Sequence, residues 1–79
     1  MNENKMLLLP DGTQLDPAMT IYICMRRNYA EFHLVDGKIL KVRMTMSQLE
    51  EQLGPKFVKI HRSVLVSVRA IHDITDTVN

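Results

Sequence analysis

The sequence predicts a mostly β domain, made of short antiparallel strands and one short helix. Apolar and polar residues alternate over Tyr29–Val35, which is the two-residue period of a strand with one face on a core. Turn residues divide this run from other short runs that are rich in β-branched side chains. Only Met46–Leu53 has helical spacing, and no long helices alternate with the strands as they would in a parallel sheet.

Length and composition limit the chain to a single domain over residues 1–79. Apolar residues make up 46% and charged residues 24%, which is enough apolar material for one small core. Disordered chains have lower hydrophobicity, so the composition does not favour disorder. Cys24 is the single cysteine, so no intrachain disulfide can form. The histidines at positions 33, 61 and 72 lack the spacing of a metal-ligand pair, and we predict neither a metal site nor a cofactor.

The beginning of the chain predicts no membrane insertion. Its apolar run, residues 6–9, stops at Pro10 and is shorter than a signal-peptide core and far shorter than a membrane-spanning helix. We therefore expect an intracellular, cytoplasmic protein, and the free cysteine agrees with a reducing compartment.

Three short strands are predicted before residue 26. Lys5–Leu9 ends at the turn Pro10-Asp11-Gly12, and Thr13–Leu15 returns as a short strand. Thr20–Met25 is rich in β-forming residues and is predicted to be a buried or half-buried strand. The polar stretch 26–28 then interrupts the pattern.

The next two strands are predicted to form a hairpin around Asp36-Gly37, a pair typical of two-residue turns. In the first strand, Ala30, Phe32 and Leu34 are expected to face the core, opposite Tyr29, Glu31 and His33. In the partner strand, Lys38–Met44, the expected inward residues are Leu40, Val42 and Met44, and the outward ones are Ile39, Lys41 and Arg43.

One helix follows, and two more strands come after it. The helix begins at a capping box, formed by Thr45 as N-cap and Gln48 three residues later. Met46, Leu49 and Leu53 share one face, and Gly54-Pro55 ends the helix. The β-branched runs Phe57–Ile60 and Val64–Val68 are separated by His61-Arg62-Ser63. Ala70–Ile74 is a weaker strand candidate, and Thr75–Asn79 is predicted to be a frayed tail.

The residue patterns do not favour an enzyme. Ser63 and His61 resemble a nucleophile and its base, but on an extended chain we expect them to point apart, and no nucleophile elbow or orienting acid accompanies them. Glu50 and Glu51 are neighbours on a helix and diverge towards solvent. Cys24 lies in an apolar run and is predicted to be a small buried hydrophobic residue rather than a reactive thiol.

Positive charge is concentrated in the middle of the chain. Residues 26–69 carry nine Lys or Arg against four Asp or Glu, although the net charge of the whole chain is only +1. Such a segment can form a stripe that faces phosphates, but it is also common in proteins that bind no nucleic acid.

A cluster of basic and polar residues, Lys59, His61, Arg62 and Ser63, lies between two stiff apolar runs. Arg62 is able to donate two hydrogen bonds to a guanine edge, and its neighbours are able to pair with phosphates. The alternative is an exposed turn whose charges only keep the protein soluble.

The segment around this cluster, FVKIHRSVLVSVRAI over residues 57–71, resembles the signature of the LytTR DNA-binding domain. Other elements agree with that family in order and spacing. Ile21-Tyr22-Ile23 is similar to one of its strands, Asn28-Tyr29 to a turn, Asp36-Gly37-Lys38 to a hairpin and Thr45–Leu53 to its short helix. The resemblance extends from about Met6 to Ile74.

The resemblance implies an elongated antiparallel β domain that places loops, not a helix, in successive major grooves of double-stranded DNA. It implies base contacts by Asn28 and Arg62. The alternatives are a left-handed turn at Asn28 and a buried, hydrogen-bonded scaffold role for His61. The residues expected to contact phosphates are Arg26, Arg27, Lys41, Arg43, Lys59, His61 and Ser63.

The sequence departs from the family at Ser67, where asparagine is usual, and at its end. Members continue beyond the position of Asn79 through a basic hairpin, so the last strand is expected to have an unpaired edge. We expect that no receiver domain precedes this sequence and that the protein is a stand-alone transcriptional regulator of bacterial type. The alternative is an interaction module that pairs through that edge with a second copy or with a full-length LytTR regulator.

Overall fold

A computed structural model describes residues 6–71 and confirms the mostly β fold. Two short strands, β1 (Leu7–Leu8) and β2 (Gln14–Leu15), come first. They are followed by β3 (Thr20–Met25), β4 (Ala30–Leu34) and β5 (Ile39–Val42). The helix α1 (Met46–Leu53) precedes the last two strands of this part of the chain, β6 (Phe57–His61) and β7 (Val64–Ser67). Short 3-10 turns cover Pro17–Met19 and Gly54–Lys56.

The strands form two antiparallel sheets. β1 pairs with β2, and the other five form a sheet in the order β5-β4-β3-β7-β6. The edges of the larger sheet are therefore β5 and β6, and β7 is paired on both sides. The unpaired edge was predicted for the last strand candidate, Ala70–Ile74, most of which lies outside the described residues.

The chain turns helical directly after β7. Residues 68–71 are helical, so the predicted strands are wrong at Val68 and over residues 70–71; residues 72–79 lie outside the described part. The Ser67 hydroxyl accepts a hydrogen bond from the backbone N–H of Ala70 at 3.3 Å, as an N-cap residue does. A serine at the end of β7 therefore favours the change from strand to helix.

The β4–β5 hairpin has the predicted faces but a longer loop. Ala30 and Phe32 are fully buried, and Ile39 is 51% exposed. The backbone N–H of Leu34 donates to the carbonyl of Lys38 at 2.9 Å, which leaves three loop residues, 35–37, instead of two. Gly37 takes φ 90° at the third position, where a three-residue hairpin requires a left-handed residue.

The core lies on one face of the five-stranded sheet. Ile23 is opposite Phe32 on one side and Leu65 on the other, and all three are buried. Leu49 and Leu53 of α1 pack on this face, and the same cluster includes Leu7, Leu9, Ala30, Met44 and Phe57. The opposite face, which we call the outer face, carries the row Val58, Val66, Tyr22, His33 and Ile39.

The helix is held at both ends by polar side chains. Thr45 and Gln48 form the predicted capping box, with bonds of 3.1 and 2.9 Å. In the last turn, the Gln52 amide accepts from the backbone N–H of Leu8 at 3.1 Å and donates to its carbonyl at 3.3 Å. The Gln52 side chain thereby makes the two backbone hydrogen bonds that a neighbouring strand would make to β1, and it connects the small hairpin to α1.

Thr20, the first residue of β3, has an unusual environment. It is 2% exposed, and its hydroxyl oxygen has no hydrogen-bond partner among the described residues. Burying a hydroxyl without a partner costs on the order of 1–3 kcal/mol.

We expect Thr20→Val to stabilise the domain by about 1 kcal/mol, because valine has the same shape without the hydroxyl. The midpoint of urea unfolding measures the change. Ser67→Ala is the contrasting variant and should destabilise the domain, because the Ser67 hydroxyl has a bonded partner. A lower midpoint for Thr20→Val would show that its hydroxyl contributes to stability.

Candidate nucleic-acid interface

Three connections meet at one end of the five-stranded sheet. Antiparallel register places Met25 opposite Ala30, Ala30 opposite Val42, and Cys24 opposite Val64. The β3–β4 connection (26–29), the start of the β5–α1 connection (43–45) and the β6–β7 turn (62–63) therefore lie side by side. We call this the loop end of the sheet.

The β3–β4 connection is a tight hairpin. The backbone N–H of Arg26 donates to the carbonyl of Tyr29 at 2.7 Å, so Arg27 and Asn28 form the tip, and both are exposed. No residue other than glycine has positive φ in residues 6–71. The alternative of a left-handed Asn28 is therefore wrong, and its exposed side chain has no hydrogen-bond partner among the described residues.

The β6–β7 turn is bonded directly to β3. The backbone N–H of Met25 donates to the carbonyl of Ser63 at 2.7 Å, which continues the β3–β7 pairing past Val64. A register shift between Lys59 and His61 precedes the turn. The two loops are thus held to one another through backbone bonds rather than through flexible side chains.

His61 and Ser63 shape this turn. The Nδ1 atom of His61 accepts the backbone N–H of Ser63 at 3.2 Å and lies 2.9 Å from its hydroxyl oxygen. The expectation that they point apart is wrong, because their side chains are in contact, and residues two positions apart share a face even on an extended chain. The buried-scaffold alternative for His61 is also wrong, since the residue is hydrogen-bonded but exposed.

Arg62 stands at the apex of the turn. It is exposed, and no ion pair or hydrogen bond joins its side chain to another residue within 6–71. Because no carboxylate in that part of the chain pairs with Arg62, its five N–H donors are available to an external acceptor.

The other predicted cations fall into two groups. Arg27 and Arg43 are exposed and have no ion pair within the described residues. Three cations have partners inside the domain. Arg26 Nε lies 3.3 Å from Glu31 Oε1, Lys59 Nζ lies 3.6 Å from Glu50 Oε2, and Lys41 Nζ lies 5.5 Å from the centre of the Tyr29 ring.

Negative groups near Arg26 favour its charged form. The anionic form of Cys24 and then the carboxylate of Glu31, which also accepts a hydrogen bond, raise the pKa of Arg26 above its ordinary value. Arginine is already fully charged at any pH at which DNA is bound, so the shift does not change the charge of this guanidinium there.

A cleft of about 430 Å³ separates the β3–β4 tip from the start of α1. Arg26, Arg27 and Arg43 line it, together with Asn28 and the capping residues Thr45 and Gln48. The sequence analysis did not predict that the capping residues lie at the loop end. The register of the predicted β4–β5 hairpin indicates it, because that register brings the end of β5 beside the beginning of β4.

Comparison with known proteins agrees with this geometry. The family model of the LytTr DNA-binding domain matches residues 12–79. The chain belongs to the LytTR family. LytTR domains bind DNA in transcription regulators, and the LytTR chain described here is accordingly a DNA-binding domain rather than a member of an enzyme family. No curated protein and no solved structure matches it significantly.

The match begins at Gly12, so β1 precedes it and the other described strands and α1 lie within it. Among residues 6–71, no helix combines the length and the apolar character needed to cross a membrane.

We expect His61→Asn to preserve the β6–β7 turn and His61→Ala to loosen it. The Asn side-chain oxygen is able to accept the N–H two residues on, as Nδ1 of His61 does, whereas alanine has no acceptor. Amide hydrogen exchange of Ser63 measures the change, which should be about fivefold faster in His61→Ala for a bond worth about 1 kcal/mol. Equal exchange rates in the two variants would contradict this role.

Proposed function

We propose that this LytTR domain binds double-stranded DNA sequence-specifically and regulates transcription, with Asn28 and Arg62 contacting base edges in the major groove. Arginine is suited to the O6 and N7 acceptors of guanine, and asparagine to the N6 and N7 groups of adenine. The observation that supports the proposal best is the exposed Arg62 side chain, which pairs with no carboxylate of residues 6–71 and is presented at the apex of a turn bonded to β3.

The sheet order supports joint action by the two residues. In the series β4-β3-β7-β6, the midpoints of the two hairpins are two strand spacings apart, which is about 10 Å. That is slightly less than the width of the major groove, about 12 Å, and equals the rise of about three base pairs. We infer that Asn28 and Arg62 read positions within one short stretch of duplex.

The remaining residues at the loop end are proposed to contact phosphates with different strengths. Arg27 and Arg43 keep their full charge for DNA, as they have no ion pair within residues 6–71. Lys59 is partly neutralised by Glu50, so we expect a smaller contribution from it. The other proposed phosphate contacts are Arg26, Lys41, His61 and Ser63.

Selection of bound sequences from a random DNA pool tests the proposal. The wild-type domain should enrich a motif, and Arg62→Ala and Asn28→Ala should each lose preference at a different base, at a cost of about 1–3 kcal/mol. The affected positions should lie within about three base pairs of each other. Binding of the wild type should weaken steeply with added salt.

Arg69→Ala is the matched control. Arg69 follows β7 at the opposite end of the sheet and is exposed, so its loss removes the same charge far from the loop end. It should leave the enriched motif unchanged. Enrichment of no motif by the wild type, or an unchanged motif in Arg62→Ala, would overturn the proposed readout.

A further inference from the structure

Glu31 faces the loop end although its charge repels DNA. It lies on the outer face of β4, opposite Cys24, and its side chain is only 14% exposed. Its Oε1 atom lies 3.3 Å from Nε of Arg26, the first residue of the β3–β4 connection. The pair is diagonal across the base of the tip, at a separation that a long side chain is able to bridge.

A second set of contacts holds Glu31 in place. The Nε2 atom of His33 lies 3.5 Å from the same Oε1 atom. The His33 ring in turn stacks on Tyr22, with centroids 4.1 Å apart and an angle of 11° between the planes. Because the carboxylate is mostly buried and has cationic or polar partners, leaving it in this position without Arg26 is costly.

We propose that Glu31 is a positioning residue for DNA recognition. Its ion pair with Arg26, which we call the clasp, holds the Arg27–Asn28 tip in its binding geometry. This inference rests on the proposed function, because the tip carries a proposed base contact. The clasp uses Nε of Arg26 and leaves the two terminal nitrogens of the guanidinium available for a phosphate.

Electrostatics alone predicts the opposite effect of removing Glu31. Loss of a carboxylate beside the duplex strengthens binding to every sequence, because DNA affinity is dominated by phosphate charge. A positioning role predicts that Glu31→Ala weakens binding to the selected site and leaves binding to unrelated DNA equal or stronger. The ratio of the two affinities separates the explanations.

The experiment measures Kd for the selected site and for unrelated duplex DNA at one salt concentration. Glu31→Ala should lower the specific affinity about two- to tenfold, the effect of one ordered contact. Glu31→Gln, which keeps an acceptor for Arg26, should recover part of the loss. Glu51→Ala removes the same charge from the exposed side of α1 and should leave the affinity ratio unchanged.

A double-mutant cycle shows whether the effect passes through Arg26. In an Arg26→Ala background, Glu31→Ala should no longer lower the affinity ratio. A specific affinity that rises in Glu31→Ala, or a fall of the same size with and without Arg26, would overturn the clasp.

The free protein provides a test that does not depend on DNA. Backbone ¹⁵N relaxation of Arg27 and Asn28 should show greater motion in Glu31→Ala than in Glu51→Ala, with the fold checked by circular dichroism. Unchanged order at the tip would overturn the positioning role even if DNA binds. Greater motion in a domain whose wild type selects no DNA would instead support the clasp and overturn the proposed function.

Discussion

The central strand β3 is the constraint on which the arrangement depends. It pairs with β4 on one side and with β7 on the other, and the bond from the Met25 N–H to the Ser63 carbonyl extends the second pairing to the turn. Antiparallel pairing on both sides requires the two flanking hairpins to point the same way. The same strand places Ile23 between Phe32 and Leu65 in the core, so the packing that stabilises the sheet also fixes the separation of the two loops.

Local residue patterns predicted most of the strands and the helix, but they did not predict which distant strands pair. β3 has the bounds that its β-forming residues predicted, and the capping box at Thr45 is present. The sheet order could not be derived, because a pairing such as Ile23 with Leu65 joins distant parts of the chain and no residue pattern specifies it. The loop at Asp36-Gly37 was one residue too short in the prediction, since glycine with positive φ suits both loop lengths. The apolar residues after Ser67 fit strand and helix equally well.

The candidate site was predicted by residue type but not by contact. The family signature indicated Arg62 and the basic residues around it as candidates, and Lys59, His61 and Arg62 are exposed. Which cations have partners depends on side-chain geometry that a sequence does not contain. Arg26 and Lys59 share their charge with Glu31 and Glu50, whereas Arg62 has no such partner in residues 6–71. A count of basic residues therefore overestimates the charge that this surface presents to phosphates.

The composition of α1 favours the proposed recognition of DNA by loops. This helix has eight residues and no Lys or Arg; it buries Leu49 and Leu53, and Gln52 is bonded to β1. Its exposed side carries Glu50 and Glu51, which phosphates repel. A helix with this face has no favourable way to enter a groove, while the hairpin connections present arginines on stems held by backbone bonds. Such stems supply the positional accuracy that base recognition requires, and a recognition helix supplies it in other DNA-binding folds.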